Sequence, residues 1–143
     1  MKTMTEKFKI LSRYIKDMSS ETRNIETYLF VKDHISKYQL VIDINSTAIK
    51  NHHIEVDTTL KFEDKSQNKL KSFFEIIYYA VVKVDESIKE KKEMEKILLC
   101  DVPNKIYPDL EKSFLNLLHN SGYTDIKFEK KINFENLYNE KFS

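Results

Sequence analysis

Residues 103–122 read PNKIYPDLEKSFLNLLHNSG and contain both prolines and the only glycine of the 143-residue chain. Apolar side chains recur there every three or four positions, which predicts an amphipathic helix. They are Ile106, Leu110, Phe114, Leu117 and Leu118. Pro103 suits the first helical turn and Gly122 the position just after the last one, where positive φ costs glycine little. Pro108 lies near the start; either its missing N–H is tolerated there or the helix begins closer to it.

The stretch from Ile54 to Glu63 alternates apolar and polar residues, which predicts a strand with one dry and one wet face. The same alternation upstream covers Tyr38, Leu40, Ile42 and Ile44. The polar residues 45–53 would turn the chain between these strands, and residues 64–68 form a second turn signal. A further strand is expected around residues 13–19.

The run from Leu70 to Val84 is apolar on both faces. Such a strand needs cover on both sides, and the second cover could be a helix, another subunit or a bound client. Residues 20–37 form a long connection without clear periodicity, and connections of this length are often functional. After residue 122, Asn133 is a good N-cap for a second helix. A further short helix is expected over residues 90–100.

The composition indicates one domain over residues 1–143, with 1–11 as a disordered N-terminal segment. The 24 basic and 23 acidic side chains nearly cancel, so no overall field attracts nucleic acid or anionic lipid. We find no apolar window long enough to span or insert into a membrane and no secretory signal. One cysteine, Cys100, cannot form an internal disulfide, which fits a reducing cytoplasm.

Residues suited to catalysis or cofactor binding are sparse. One glycine cannot build a phosphate-binding loop, so chemistry driven by ATP is not expected. Adjacent His52 and His53 point to opposite sides and do not form a two-ligand metal site. Cys100 lacks a nearby base that would activate it, and a half-buried structural thiol is the simpler interpretation. We therefore expect no enzyme activity, no cofactor and no metal.

Six segments, in the same order, resemble the SecB family of bacterial protein-export chaperones. Residues 14–21, 40–44, 54–56 and 73–80 are similar to its four strands, and residues 103–108 and 133–138 to the starts of its two helices. The resemblance implies an α+β fold with a four-stranded antiparallel sheet, a long crossover loop over residues 22–37 and two C-terminal helices. It also implies a homotetramer, a dimer of dimers with the long helix between the dimers.

The function implied by the resemblance is ATP-independent holding of unfolded precursor proteins for delivery to the translocation ATPase SecA. The alternative is a SecB-like adaptor dedicated to one partner, such as an antitoxin, without a general export role. SecB proteins are typically acidic, whereas this chain is neutral. This departure from the family bears on SecA docking more than on the fold or on client holding.

Two sets of residues are expected to bind partners. The client set combines the apolar connection, an alternating strand and the aromatic last helix: Leu29, Phe30, Tyr38, Leu40, Ile42, Phe134 and Leu137. The alternative for this set is that it is plain core. The resemblance implies a SecA-binding set on the exposed sheet face: Asp17, Glu21, Phe73 and Glu75. Lys71 and Lys83, expected on the same strand face, would weaken its negative field.

Overall fold

The computed structural model describes residues 7–128 and 131–142. Its strands are β1 (Phe8–Glu21), β2 (Gln39–Ala48), β3 (His53–Glu63) and β4 (Phe73–Val84). Its α-helices are α1 (Ile25–Asp33), α2 (Lys91–Lys96), α3 (Val102–Asn120) and α4 (Phe134–Phe142). A 3₁₀ turn (Ile35–Lys37) follows α1, and a π-helical turn (Ile97–Asp101) joins α2 to α3.

The four strands form one antiparallel sheet in the order β1-β4-β3-β2, so β1 and β2 are its edges. Even-numbered residues of β4 lie on the face that the helices cover, which we call the covered face. They are Phe74, Ile76, Tyr78, Ala80, Val82 and Val84, and all are buried. Odd-numbered residues of β4, beginning with Phe73, lie on the opposite, open face. The α+β class and the antiparallel sheet are thus confirmed.

Helix α3 packs its predicted apolar stripe against the covered face. Ile106, Leu110, Phe114 and Leu118 are all 0% exposed, as expected for a stripe that one sheet face can accept. This stripe is therefore used within the chain. Leu117, the remaining residue of the predicted stripe, is half-buried.

The ends of α3 confirm the roles expected of Pro103 and Gly122. Pro103 occupies the first turn, and Gly122 follows the helix with φ +104°. The helix runs through Pro108 instead of beginning beside it, because α2 and the π-helical turn lead into α3 without leaving helical backbone angles. Asn104, whose carbonyl loses a partner at Pro108, is exposed, so water can replace the missing N–H.

Two expectations at the start of the chain are wrong. Strand β1 already includes Phe8–Leu11, so the expected disorder over 1–11 does not extend to these residues; residues 1–6 lie outside the described part. The crossover over residues 22–37 is helical rather than a loop. Asn24 caps α1, its Oδ1 accepting from the Thr27 N–H at 2.9 Å, and Thr27 and Val31 bury one side of the helix.

Candidate functional site

An open groove of about 860 Å³ is bounded by β2 on one side and by residues 125–128 and 131–140 on the other. We call it the groove. Its apolar lining comprises Ile35, Tyr38, Leu40, Ile42, Phe62, Ile126, Phe128, Ile132 and Leu137. Four of the seven residues expected to bind clients lie in this lining.

Leu40 and Ile42 form the β2 side of the groove. They pair with Phe62 and Leu60 of β3, and residues directly opposite in an antiparallel pair share one face. Leu60 is 0% exposed, whereas Leu40 and Ile42 are half-buried. The dry face of the sheet therefore continues to its β2 edge, where the cover of the helices ends and apolar side chains remain accessible.

Tyr38 lines the groove although most of its side chain is buried. Its hydroxyl oxygen accepts from the Ser72 N–H at 3.0 Å, and its ring centroid lies 5.5 Å from that of Phe62. Burial raises the pKa of its hydroxyl, with a smaller opposing effect from the Ser72 bond. Tyr38 thus contributes a fixed aromatic surface and stays uncharged at neutral pH.

Helix α4 forms part of the far wall. Asn133 caps this helix as predicted, its Oδ1 accepting from the Asn136 N–H at 3.0 Å. Leu137 lines the groove and is 37% exposed. Phe134 is buried beneath the wall, with its ring centroid 5.3 Å from that of Tyr107. Leu137 is therefore open to a ligand, while Phe134 supports the helix from below.

Leu29 and Phe30 lie on α1, outside the groove lining. Leu29 is 54% exposed. The ring of Phe30 stacks on His34 with centroids 4.0 Å apart, and the His34 ring bonds to the Phe30 carbonyl at 2.8 Å. The structure therefore brings Tyr38, Leu40, Ile42 and Leu137 together and places Leu29 and Phe30 apart from them.

Sequence reasoning missed the part of the lining between α3 and α4. Ile126 and Phe128 follow the helix end and line the groove with Ile132. Two apolar residues at alternate positions were the available signal, but a run this short did not indicate a definite element. Charged residues on the rim are balanced in sign: Asp125, Lys127, Lys131 and Glu140. The groove thus favours apolar segments without a strong preference for charge.

The four residues expected to bind SecA come together at one end of the open face. In the pairing of β1 with β4, Glu21 lies opposite Phe73, Ser19 opposite Glu75 and Asp17 opposite Ile77. Phe73 is 61% exposed. The arrangement is an exposed aromatic ring beside three carboxylates on adjacent strands.

The open face is acidic although the chain as a whole is nearly neutral. The strand registers place seven carboxylates there: Asp17, Glu21, Asp43, Glu55, Asp57, Glu63 and Glu75. Four lysines accompany them: Lys9, Lys16, Lys61 and Lys83. Glu75 pairs with Lys61 at 3.6 Å. Lys71 lies before β4 and donates to the Ser66 carbonyl at 2.6 Å, so its charge is directed towards that turn.

Reactive chemistry has little support in the part of the chain that the structure describes. Residues 7–128 and 131–142 contain no cluster of side chains that could hold a metal ion, and none of their helices is long and apolar enough to cross a bilayer. Cys100 is buried, and burial raises the pKa of its thiol, with Asp101 adding a smaller effect. The thiol is therefore protonated and unreactive at neutral pH.

Comparisons with known proteins agree with this architecture. The family model described as "Preprotein translocase subunit SecB" matches residues 1–143. A protein of Pelagibacter ubique, provisionally named protein-export protein SecB, is 62% identical over 138 residues, which cover 96% of this chain and 99% of the relative. The protein-export protein SecB of a Bradyrhizobium species is 22% identical over 92% of this chain and 79% of its own length.

A solved structure shows the same fold at low sequence identity. It is a SecB-like chaperone of Mycobacterium tuberculosis in complex with a peptide from the HigA1 antitoxin, with a TM-score of 0.61 and 10% identity. The match covers 87% of this chain and 91% of that one. With the family match over the full sequence, these relatives show that the chain belongs to the SecB family of protein-export chaperones.

Proposed function

We propose that this protein is an ATP-independent holdase that binds unfolded precursor proteins in the groove and delivers them to SecA-dependent export. The observation that carries the proposal is the groove itself: apolar, about 860 Å³ and lined by accessible side chains such as Leu40 and Leu137. It lies at the β2 edge of the sheet, where Leu40 and Ile42 are only half-buried. Holding by burial alone requires no nucleotide, cofactor or catalytic residue.

The energetics of such a groove suit reversible capture. A client that buries roughly 1,000 Å² of apolar surface gains on the order of 25 kcal/mol gross. Ordering the client and restricting its motion offset much of this gain. The net affinity is moderate and depends on apolar area more than on sequence, which is what a general holdase needs.

Site-specific crosslinking tests the location of the client. A photoreactive amino acid at position 40 should capture a chemically unfolded precursor, because Leu40 lines the groove. The same group at Val41, whose side chain lies on the open face of the same strand, is the matched control. Equal capture from both positions would contradict the groove as the client site.

SecA docking belongs to the same proposal and would use the open face. Asp17, Glu21 and Glu75 beside exposed Phe73 offer a basic partner a rigid acidic surface. Separated carboxylates of this kind raise the association rate more than the final affinity.

We place the protein in the cytoplasm as a homotetramer, a dimer of dimers with α3 between the dimers. The uncovered apolar surface that supports association lies on edge strand β1 and comprises Leu11, Tyr14, Ile15 and Met18, each 42–48% exposed. An exposed edge with apolar side chains is avoided in stable monomers. Native mass spectrometry at micromolar concentration should show the tetramer; monomer alone would contradict this assembly.

The second candidate function is service to one dedicated partner. It is favoured by the antitoxin peptide bound to the M. tuberculosis relative. A native pull-down followed by identification of the bound chains separates the two. Many unrelated precursors support general holding, and one recurrent partner supports the dedicated role.

A further inference from the structure

The outer edge of β2 borders the groove and offers a polypeptide backbone a place to bind. Strand β2 is an edge of the sheet, and its ten residues pair with β3 in an unbroken register from Gln39 to Ala48. Among residues 7–128 and 131–142, no backbone hydrogen bond links Leu40, Ile42 or Ile44 to any segment outside the sheet.

The hydrogen bonds at the hairpin determine which backbone groups of β2 face outwards. The Ile49 N–H donates to the His53 carbonyl at 2.9 Å, and the register continues with Thr47 opposite Glu55. Bonded and non-bonded pairs alternate in an antiparallel ladder. Odd-numbered residues of β2 therefore bond to β3, and even-numbered residues direct their N–H and C=O groups to the outer edge.

A hydrogen bond at the opposite end of the sheet independently supports this assignment of inward and outward backbone groups. The Asp85 N–H donates to the Lys7 carbonyl at 2.8 Å, which makes odd-numbered residues of β4 the bonded partners of β1. Even-numbered residues of β4 then bond to β3, and odd-numbered residues of β3 bond to β2. Both ends of the sheet give the same assignment.

The outward backbone groups and the groove side chains thus belong to the same residues. Leu40 and Ile42 present apolar side chains to the groove and their peptide groups to the edge beside it. We propose that the client binds as an additional strand on β2, with backbone hydrogen bonds to Leu40, Ile42 and Ile44 and every second client side chain in the groove. This inference rests on the proposed function and specifies its binding mode.

Strand addition explains how one site can hold many sequences. Main-chain hydrogen bonds are available from any extended polypeptide except at proline, while pockets for alternate side chains provide the selectivity. The groove then prefers segments with apolar residues at alternate positions, which folded proteins bury and unfolded chains expose. A client that is only collapsed, or helical, cannot make these bonds.

Backbone methylation of a model peptide tests the proposal. The probe is a short synthetic peptide in which Phe and Leu alternate with Ser and Thr, and single amides are N-methylated in turn. Strand addition predicts that N-methylation of every second amide weakens binding of the peptide about fivefold per amide, the worth of one peptide hydrogen bond. N-methylation of the amides in between should change the affinity little. Loss at the apolar positions indicates antiparallel addition, and loss at the polar positions indicates parallel addition.

The outcomes separate this inference from the function on which it rests. If the peptide binds and N-methylation weakens binding equally at the apolar and the polar positions, strand addition alone is overturned. An unmethylated peptide that does not compete with an unfolded precursor contradicts the proposed function, and strand addition with it.

A protein variant tests the same bonds from the other side. Ile44→Pro removes an outward N–H and leaves the β2–β3 ladder intact, since proline is tolerated at a sheet edge where its N–H would face away. Ile44→Ala is the matched control for the lost side chain. The proline variant should bind the peptide several-fold more weakly than the alanine variant; equal affinities would overturn the proposal.

Discussion

Gly122, the only glycine of the chain, holds the crossover helix α1 against the end of α3. The Tyr28 hydroxyl donates to the Gly122 carbonyl at 2.9 Å, and the Tyr28 ring centroid lies 5.3 Å from that of Tyr123. A Cβ at position 122 would lie 2.6 Å from Cε1 of Tyr28. Gly122→Ala should therefore strain the backbone and displace Tyr28 together.

The magnitude follows from these two effects. An L side chain at φ +104° costs roughly 1–2 kcal/mol in backbone strain. Displacing Tyr28 loses about 1 kcal/mol for its hydrogen bond and about 1 kcal/mol for its contact with Tyr123. The free energy of unfolding should fall by about 3–4 kcal/mol in all.

A double-mutant cycle in urea, followed by circular dichroism at fixed protein concentration, separates the two effects. In a Tyr28→Ala background there is no ring to displace, so the glycine substitution should cost only its strain, about 1–2 kcal/mol. The coupling free energy should therefore be about 2 kcal/mol. Additive effects would show that Tyr28 and Gly122 do not act as one unit.

Two further predictions concern a turn carboxylate and the open face. Asp64 has a lowered pKa, owing first to the Ser66 side chain, then to the Ser66 N–H, with Asn68 and Lys71 adding smaller effects. The contribution of Asp64 to the free energy of unfolding should be complete above the usual aspartate pKa of about 4 and should be lost as pH falls through the lower pKa of the folded state. If Asp64→Asn leaves the pH dependence of the free energy of unfolding in that range unchanged, Asp64 is not the source of this stabilisation. Glu75→Lys should weaken binding of the C-terminal segment of the host's SecA, and wild-type binding should fall with salt as the screening length shrinks to about 8 Å. Glu86→Lys, the same charge change at an exposed position beyond β4, is the control, and equal, salt-insensitive affinities would remove the open face from the export role.

The sheet and α3 could be predicted from the sequence because their periods are long and clean. Ten alternating residues from Ile54 and a helical stripe from Ile106 leave little choice of face. The open-face cluster of Asp17, Glu21, Phe73 and Glu75 followed from the resemblance, and the register does place it together.

The crossover and half of the groove could not be predicted in this way. Helix α1 is short and buries only Thr27 and Val31, so its apolar residues show no dominant face. Phe134 looked like a ligand-binding aromatic, but its packing against Tyr107 buries it beneath the groove wall. Ile126 and Phe128 reach the groove only because the chain turns back after Gly122, and that turn-back joins distant elements in a way that no local pattern encodes.

Suppression of client aggregation by groove variants tests whether unfolded clients are held in the groove. Replacing Leu40 and Ile42 with serine removes two half-buried apolar side chains from the groove, and Val41→Ser on the opposite face of β2 is the control. The double variant should keep a near wild-type circular dichroism spectrum and lose most of its ability to prevent aggregation of an unfolded precursor, while the control retains this ability. A folded double variant that suppresses aggregation as well as wild type would contradict the groove as the holding site.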